Sequence, residues 1–209
     1  KKFKSHFKKR NFLGKLIIPR IKRYKKIKPF LRNTYLKLNI NDENMSHIFA
    51  LANLLKITNK SFFNSLNSFK GLPHRYEIFL KRKNCIFIND SKATSFEATK
   101  FALKYTKNVY WILGGLPKKK DKIILRDVKK NIKRSYIIGK NINFFKNQIQ
   151  NKINFYEAKT LKNSIVQALK DISNNKEKNI SLLFSPASAS FDQFLNFEKR
   201  GEEFKKLSK

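Results

Sequence analysis

The sequence predicts an α/β protein, a mostly parallel sheet with helices on both faces, preceded by a helical unit. Three observations carry this. Beyond Tyr76, short apolar runs alternate with longer segments of helical period, the pattern of repeated strand–helix units. Three of those runs are followed by loops rich in small and polar residues, placed where parallel sheets hold ligands. Between Asp42 and Phe69, by contrast, the readable periods are helical.

Taken in order, residues 16–18 and 34–36 are candidate strands, interrupted by Pro19 and Pro29. Met45, Ile48, Phe49, Ala52 and Leu55 share one helical face, with Asn41 or Asp42 as its cap. Phe62, Phe63, Leu66 and Phe69 mark a second helix over 60–69, which Gly71 and Pro73 stop. That stop is the expected boundary between domains 1–70 and 71–209. Residues 76–80 and 85–89 read as a hairpin across Lys81-Arg82-Lys83-Asn84. A helix over 95–105 leads to a strand over 109–113 that ends at Gly114-Gly115. Then come a helix over 123–130, a strand over 135–138, a helix over 142–149 and a short strand over 153–156. A helix over 161–172 carries Leu161, Ile165, Ala168, Leu169 and Ile172 on one side. A strand over 180–184, a small-residue loop and a last helix over 192–207 complete the pattern.

Lysine and arginine number 48 against 14 Asp and Glu, a formal charge of +34. Phosphate neutralisation in a nucleic-acid-binding module is one reading. A proteome whose surfaces drift to lysine is the other. The lysines are spread over every segment instead of forming one stripe, so the second is preferred and no specific nucleic-acid partner is expected. The single cysteine, Cys85, excludes an intramolecular disulfide framework and offers no zinc constellation, which points to a reducing compartment. No apolar run approaches the roughly 18–20 residues of a membrane span. The basic N-terminus lacks the apolar core of a signal peptide. The expectation is a soluble cytoplasmic protein with no membrane partner. The chain opens with Lys1 and holds one methionine, Met45, so it reads as a fragment lacking a natural start.

Three loops leave the carboxyl ends of predicted strands, at 89–94, 114–121 and 185–191, and a parallel sheet gathers such ends on one edge. The first places an acid, Asp90, and a base, Lys92, beside the hydroxyls of Ser91 and Thr94. Thr94-Ser95-Phe96-Glu97 also fits a capping box, which accounts for Thr94 but not for Asp90 or Lys92. In the second, Gly114-Gly115 permits a sharp turn from which Lys118 could reach an anion; composition alone makes Lys118 a solvated member of a lysine run. In the third, Ser190-Phe191-Asp192-Gln193 resembles a capping box, and free amides at a helix start there would suit a carboxylate. Phe194, Phe197, Gly201 and Phe204 form a stripe that reads as core. His74 reads as a hinge residue, and Arg75, permanently charged and multidentate, as the better ligand candidate.

Gly71-Leu72-Pro73-His74-Arg75, Asn89-Asp90-Ser91-Lys92-Ala93-Thr94, Leu113-Gly114-Gly115 with Lys118, and the stretch Ser185-Pro186-Ala187-Ser188-Ala189-Ser190-Phe191-Asp192-Gln193-Phe194 followed by Asn196-Phe197-Glu198-Lys199-Arg200-Gly201 occur in one order. Over about residues 41–209 this set resembles the Mur ligase family of peptidoglycan synthesis, and within it the D-glutamate-adding ligases. The resemblance implies a Rossmann-like C-terminal domain at 71–209, which binds the amino acid, and the tail of a truncated central ATPase domain at 1–70. It implies the cofactors ATP and Mg2+, with the P-loop and metal ligands upstream, and the substrates UDP-N-acetylmuramoyl-L-alanine and D-glutamate joined through an acyl phosphate. By motif, Thr94, Lys118, Ser190, Phe191 and Phe197 correspond to D-glutamate contacts. Asn44, Arg75, Asp90 and Lys92 correspond to ATP contacts, and no catalytic residue or metal ligand is assigned within this stretch. The implied enzyme is monomeric, and this piece alone is expected to be inactive. Several positions depart from the family pattern: Ile40 replaces a histidine, Leu116-Pro117 an Asp-Gly, Ser188 a cysteine and Phe191 a leucine. A sister ligase adding another amino acid is an alternative, against which the Leu-Pro-His-Arg motif and the Ser190 pattern speak.

Overall fold

The structure is a computed structural model describing residue 10, residues 16–118 and residues 120–209. It divides into two compact units, Lys1–Lys70 and Gly71–Lys209.

Among its described residues the first unit is helical, with α1 (Ile21–Ile27), α2 (Asp42–Leu54) and α3 (Asn59–Ser68). Tyr24, Leu31, Leu36 and Met45 form its core, packed by Phe49, Phe63 and Leu66. The Tyr24 hydroxyl donates to the Leu36 carbonyl at 3.3 Å, and burial, reinforced by the Asp42 charge, pushes its phenol up to about 12. The two expected strands are absent. Residues 16–20 carry no regular structure, because no neighbouring strand is described in this unit for them to pair with. Residues 34–37 turn instead, the Asn33 side chain accepting the Leu36 N–H at 3.1 Å. Neither Asn41 nor Asp42 caps α2. The Asn41 amide is spent on the Tyr35 carbonyl at 2.7 Å, and Asp42 pairs with Lys28. Thr58 does cap α3, accepting from the Ser61 N–H.

The second unit is a six-stranded sheet in the order β1 (Glu77–Arg82), β2 (Cys85–Asn89), β6 (Ile180–Phe184), β3 (Val109–Gly114), β4 (Ile132–Ile138), β5 (Phe155–Lys159). Every neighbouring pair is parallel except the β1–β2 hairpin, which turns through Lys83 at φ 47°. The helices are α4 (Phe96–Tyr105), α5 (Ile142–Ile149), α6 (Leu161–Ser173) and α7 (Phe197–Leu207). Alternation along the strands splits the core between two faces. Tyr110, Ile112, Tyr136, Leu182 and Phe184 pack with Leu161, Ile165 and Ala168 of α6 and Phe204 of α7. On the other face Trp111 meets Phe96 of α4. The unit is therefore a Rossmann-like α/β layer structure with helices on both faces.

Several predicted elements differ: the strand expected over 135–138 begins at Ile132, and the first hairpin strand, expected over 76–80, runs 77–82 so that only Lys83 and Asn84 turn. No α-helix forms over 123–130: Ile123 and Leu125 turn inward two residues apart with Ile124 exposed between them, an extended spacing, and the Ile123 N–H goes to the Gln148 side chain. The strand expected over 153–156 begins at Phe155, where it pairs with Ser135, because the Ile153 N–H still closes the turn on Ile149. The last helix starts at Phe197 instead of 192, where the Asn196 side chain accepts the Lys199 N–H at 2.8 Å.

Candidate functional site

Strands β2, β6 and β3 are adjacent and parallel, so the loops 89–94, 185–191 and 114–121 leave one edge of the sheet side by side. Backbone bonds tie them. The Asp90 N–H donates to the Phe184 carbonyl at 2.8 Å, Gly114 to Pro186 at 3.0 Å, and Leu116 and Ala189 exchange bonds in a short bridge. Only glycine fits the turn after β3: a Cβ on Gly114, at φ +130°, would lie 2.0 Å from the Ile138 carbonyl oxygen. On Gly115 it would lie 2.4 Å from the Ala189 oxygen.

Asp90 sits at the junction, 7% exposed. Oδ1 accepts the Tyr76 N–H at 3.1 Å and Oδ2 the Ser185 hydroxyl at 2.7 Å. Burial raises its carboxyl to about 7; the Ser185 and Tyr76 bonds and the Arg75 charge restrain the rise. Arg75 is exposed on the loop before β1. Its neighbour His74 is buried, and the Lys92 N–H donates to its carbonyl at 3.0 Å. Asn89 faces Nδ1 of the His74 ring with its amide nitrogen at 3.0 Å, while its oxygen takes the Ser91 N–H. Nδ1 is thereby an acceptor, and Nε2–H points at Glu202 across 3.4 Å. The His74 ring is thus buried and held on both sides.

The D-glutamate candidates are distributed along this edge. Thr94 is half-buried and does not cap α4; Ser95 does, accepting the Ala98 N–H. The capping-box reading of Thr94 is therefore one residue out. Ser190 is buried, its carbonyl taking the N–H groups of Gln193 and Phe194 in a single turn that does not continue into a helix. A helix start offering free amides at Ser190 is thus absent, since α7 begins seven residues later. The Phe191 side chain is 69% exposed. Phe197 opens α7, edge-on to His74 at 6.1 Å, with the exposed Lys92 ammonium 4.2 Å over its ring. Lys118 is exposed, and its N–H donates to Asp121 at 3.0 Å, a local turn that leaves the ammonium without an ion pair among the described residues. Asn44 belongs to the first unit, exposed in the first turn of α2. Among the described residues no group of three His, Cys, Asp or Glu side chains could hold a metal ion.

One residue of the site escaped sequence reasoning. Arg200 is 1% exposed, and all its recorded partners are neutral: Nε and Nη2 donate to the hydroxyl and carbonyl of Ser91 at 3.1 and 2.8 Å, and Nη1 to the Ser188 carbonyl at 3.1 Å. Burial lowers its guanidinium to about 10, with the Asp192 charge opposing. A signal was present: Arg200 stands three residues after Phe197 and four before Phe204, on the apolar stripe of α7.

No protein-family model matches the chain. Curated relatives named UDP-N-acetylmuramoylalanine–D-glutamate ligase do. The one from Wolbachia sp. subsp. Brugia malayi is 37% identical over 169 residues, covering 81% of this chain and 34% of that protein. The Bartonella henselae protein is 39% identical over 164 residues, covering 78% and 35%. The Rickettsia felis protein is 34% identical over 181 residues, covering 87% and 40%. The chain spans little more than a third of the length of these relatives. Among solved structures, MurF from Acinetobacter baumannii matches with a TM-score of 0.55 at 15% identity, over 74% of this chain and 36% of that one. The MurF ligase from Thermotoga maritima in complex with ADP matches with 0.53 at 14% identity, over 80% and 38%. These two likenesses support the fold.

Proposed function

Because the chain belongs to the Mur ligase family, on the evidence of its identity to the D-glutamate-adding members, we propose that it forms the C-terminal part of an ATP-dependent ligase joining D-glutamate to UDP-N-acetylmuramoyl-L-alanine in peptidoglycan synthesis. The observation that carries the reading is the emergence of three motif-bearing loops from adjacent parallel strands. Residues 71–209 bind the amino acid. Residues 1–70 end the ATP-binding domain, where Asn44 contacts the nucleotide.

D-Glutamate brings two carboxylates and one amine. The Thr94 and Ser190 hydroxyls and the Lys118 ammonium are donors suited to the carboxylates. Phe191, whose ring points to solvent, serves through its backbone N–H, and Phe197 walls the site with Lys92 stacked on it. The Arg75 guanidinium suits a phosphate, and Asp90, with a second lone pair on each oxygen, accepts from ribose hydroxyls. In the proposed reaction ATP converts the alanyl carboxylate to an acyl phosphate. The amine of D-glutamate attacks that carbonyl carbon, the C–N bond forms, and the bond to phosphate breaks as the ammonium proton is lost. The chain's own contribution is to hold the amino acid with its amine aimed and its carboxylates neutralised. Mg2+ accompanies ATP in this reading. The described residues do not fit it, so no step here passes through the metal. ATP and a UDP-linked precursor are intracellular compounds, which supports a cytoplasmic enzyme; we take it to act as a monomer.

The test is phosphate release by the intact protein given ATP, UDP-N-acetylmuramoyl-L-alanine and a panel of amino acids. Release dependent on D-glutamate is expected. Release dependent on a different amino acid, with none for D-glutamate, overturns the reading.

A further inference from the structure

We propose that Arg200 is a positioning residue for the amino-acid site, a buried cross-link that sets the spacing between the loop after β2 and the loop after β6. The proposal rests on the reading of this edge as the D-glutamate site. The two loops come from strands nearly a hundred residues apart, and in that reading one residue of each, Thr94 and Ser190, must grip one small molecule. The guanidinium spans them: two bonds go to Ser91 in the first loop and one to Ser188 in the second. Ser91 in turn donates its hydroxyl to the Phe197 carbonyl at 2.8 Å, so the start of α7 joins the same assembly.

The third loop closes over the guanidinium. A Cβ at Gly115 would stand 3.2 Å from Nη1, so the absent side chain there is part of the fit. A planar fork with fixed donor directions meets this set of acceptors in a way the single nitrogen of lysine does not. A buried cation bonded to neutral acceptors also gives the site positive potential from within. The negative charge that acts on it, Asp192, bonds elsewhere, accepting the Lys140 N–H at 3.0 Å.

The nucleotide candidates are tied down by other bonds. Asp90 is held by Tyr76 and Ser185, and the Lys92 N–H by the His74 carbonyl. Loosening Arg200 should therefore affect the amino acid far more than ATP, which a general loss of stability would not do.

In the intact protein, Arg200→Lys is expected to raise the KM for D-glutamate tenfold or more while that for ATP changes less than threefold. Amide hydrogen exchange should quicken in both 89–94 and 185–191. Ser91→Ala, a milder variant that keeps the guanidinium, should move both readouts the same way by a smaller amount, and decides the matter if Arg200→Lys does not fold. An unchanged D-glutamate KM, equal rises for both substrates, or faster exchange confined to α7 overturns the proposal. If the wild-type protein does not use D-glutamate, the functional reading fails, and exchange in the two loops alone judges the cross-link.

Discussion

The Ser185 hydroxyl lies 2.7 Å from Oδ2 of Asp90 and 2.8 Å from the Thr99 hydroxyl, so a chain of three side chains joins the ends of β6 and β2 to α4. The backbone carbonyl of the same serine accepts the indole N–H of Trp111 at 2.8 Å. This buried polar chain makes the site sensitive to protonation.

Burial raises the Asp90 carboxyl from 3.8 to about 7. Between about pH 4 and 7 the folded protein keeps a proton that the unfolded chain has released, so this group's contribution to stability falls as pH rises. The limiting slope is about 1.4 kcal/mol per pH unit. Asp90→Asn imitates the protonated acid, its oxygen accepting from Tyr76 and its amide donating to Ser185. Urea unfolding should show wild type losing stability relative to Asp90→Asn between pH 4.5 and 8. Parallel profiles for the two proteins would refute this.

Gly114→Ala places a methyl group against the Ile138 carbonyl at a backbone conformation unsuited to alanine. The backbone of β4 cannot step aside without breaking its pairing with β3 and β5. A loss of about 3 kcal/mol is expected. The thermal midpoint should drop by roughly 10 °C.

Gly201 lies in α7, where alanine gains up to about 1 kcal/mol in helix propensity. Its Cβ, however, would fall 2.2 Å from Nδ1 of His74, a ring held between Asn89 and Glu202. Overpacking at about 1–3 kcal/mol outweighs the propensity gain. Gly201→Ala should destabilise in wild type and less, or not at all, on a His74→Ala background, a coupling that a double-mutant cycle measures.

Lys118→Ala removes an exposed ammonium, so the melting temperature should stay within a degree or two. Loss of one charged bond to a carboxylate is worth about 1.5–3 kcal/mol. The KM for D-glutamate in the intact enzyme should accordingly rise tenfold or more with that for ATP unchanged. An unaltered D-glutamate KM removes Lys118 from the site.

Strands β2 and β6 and helix α5 were legible to the residue, because each is a short apolar or amphipathic run bounded by polar residues or glycine. The segment 123–130 misled because Ile123, Ile124, Leu125 and Val128 suit either a helix or an extended chain; the Gln148 side chain takes the Ile123 N–H where the segment is extended, and the rest closes a tight turn on the Leu125 carbonyl. Ser190 and Asn196 are both plausible caps six residues apart, and nothing local says which one starts α7. The convergence of the loops was readable once strands alternated with helices. The cross-link made by Arg200 was not: the residue stands within a motif and on the apolar stripe of α7, but its partners, Ser91 and Ser188, lie 109 and 12 residues away.

The strand order carries a lesson about synthesis. β6, made last among the strands, lies between β2 and β3. Until residue 184 has left the ribosome, those two strands face a gap, and the unit carries open edges able to pair with other chains. A chain cut short just before β6 has the hairpin and most helices but lacks the strand that brings the three loops side by side. The convergence of the three loops is the final feature of this unit to come into being, and termination just before β6 leaves a divided sheet with open edges.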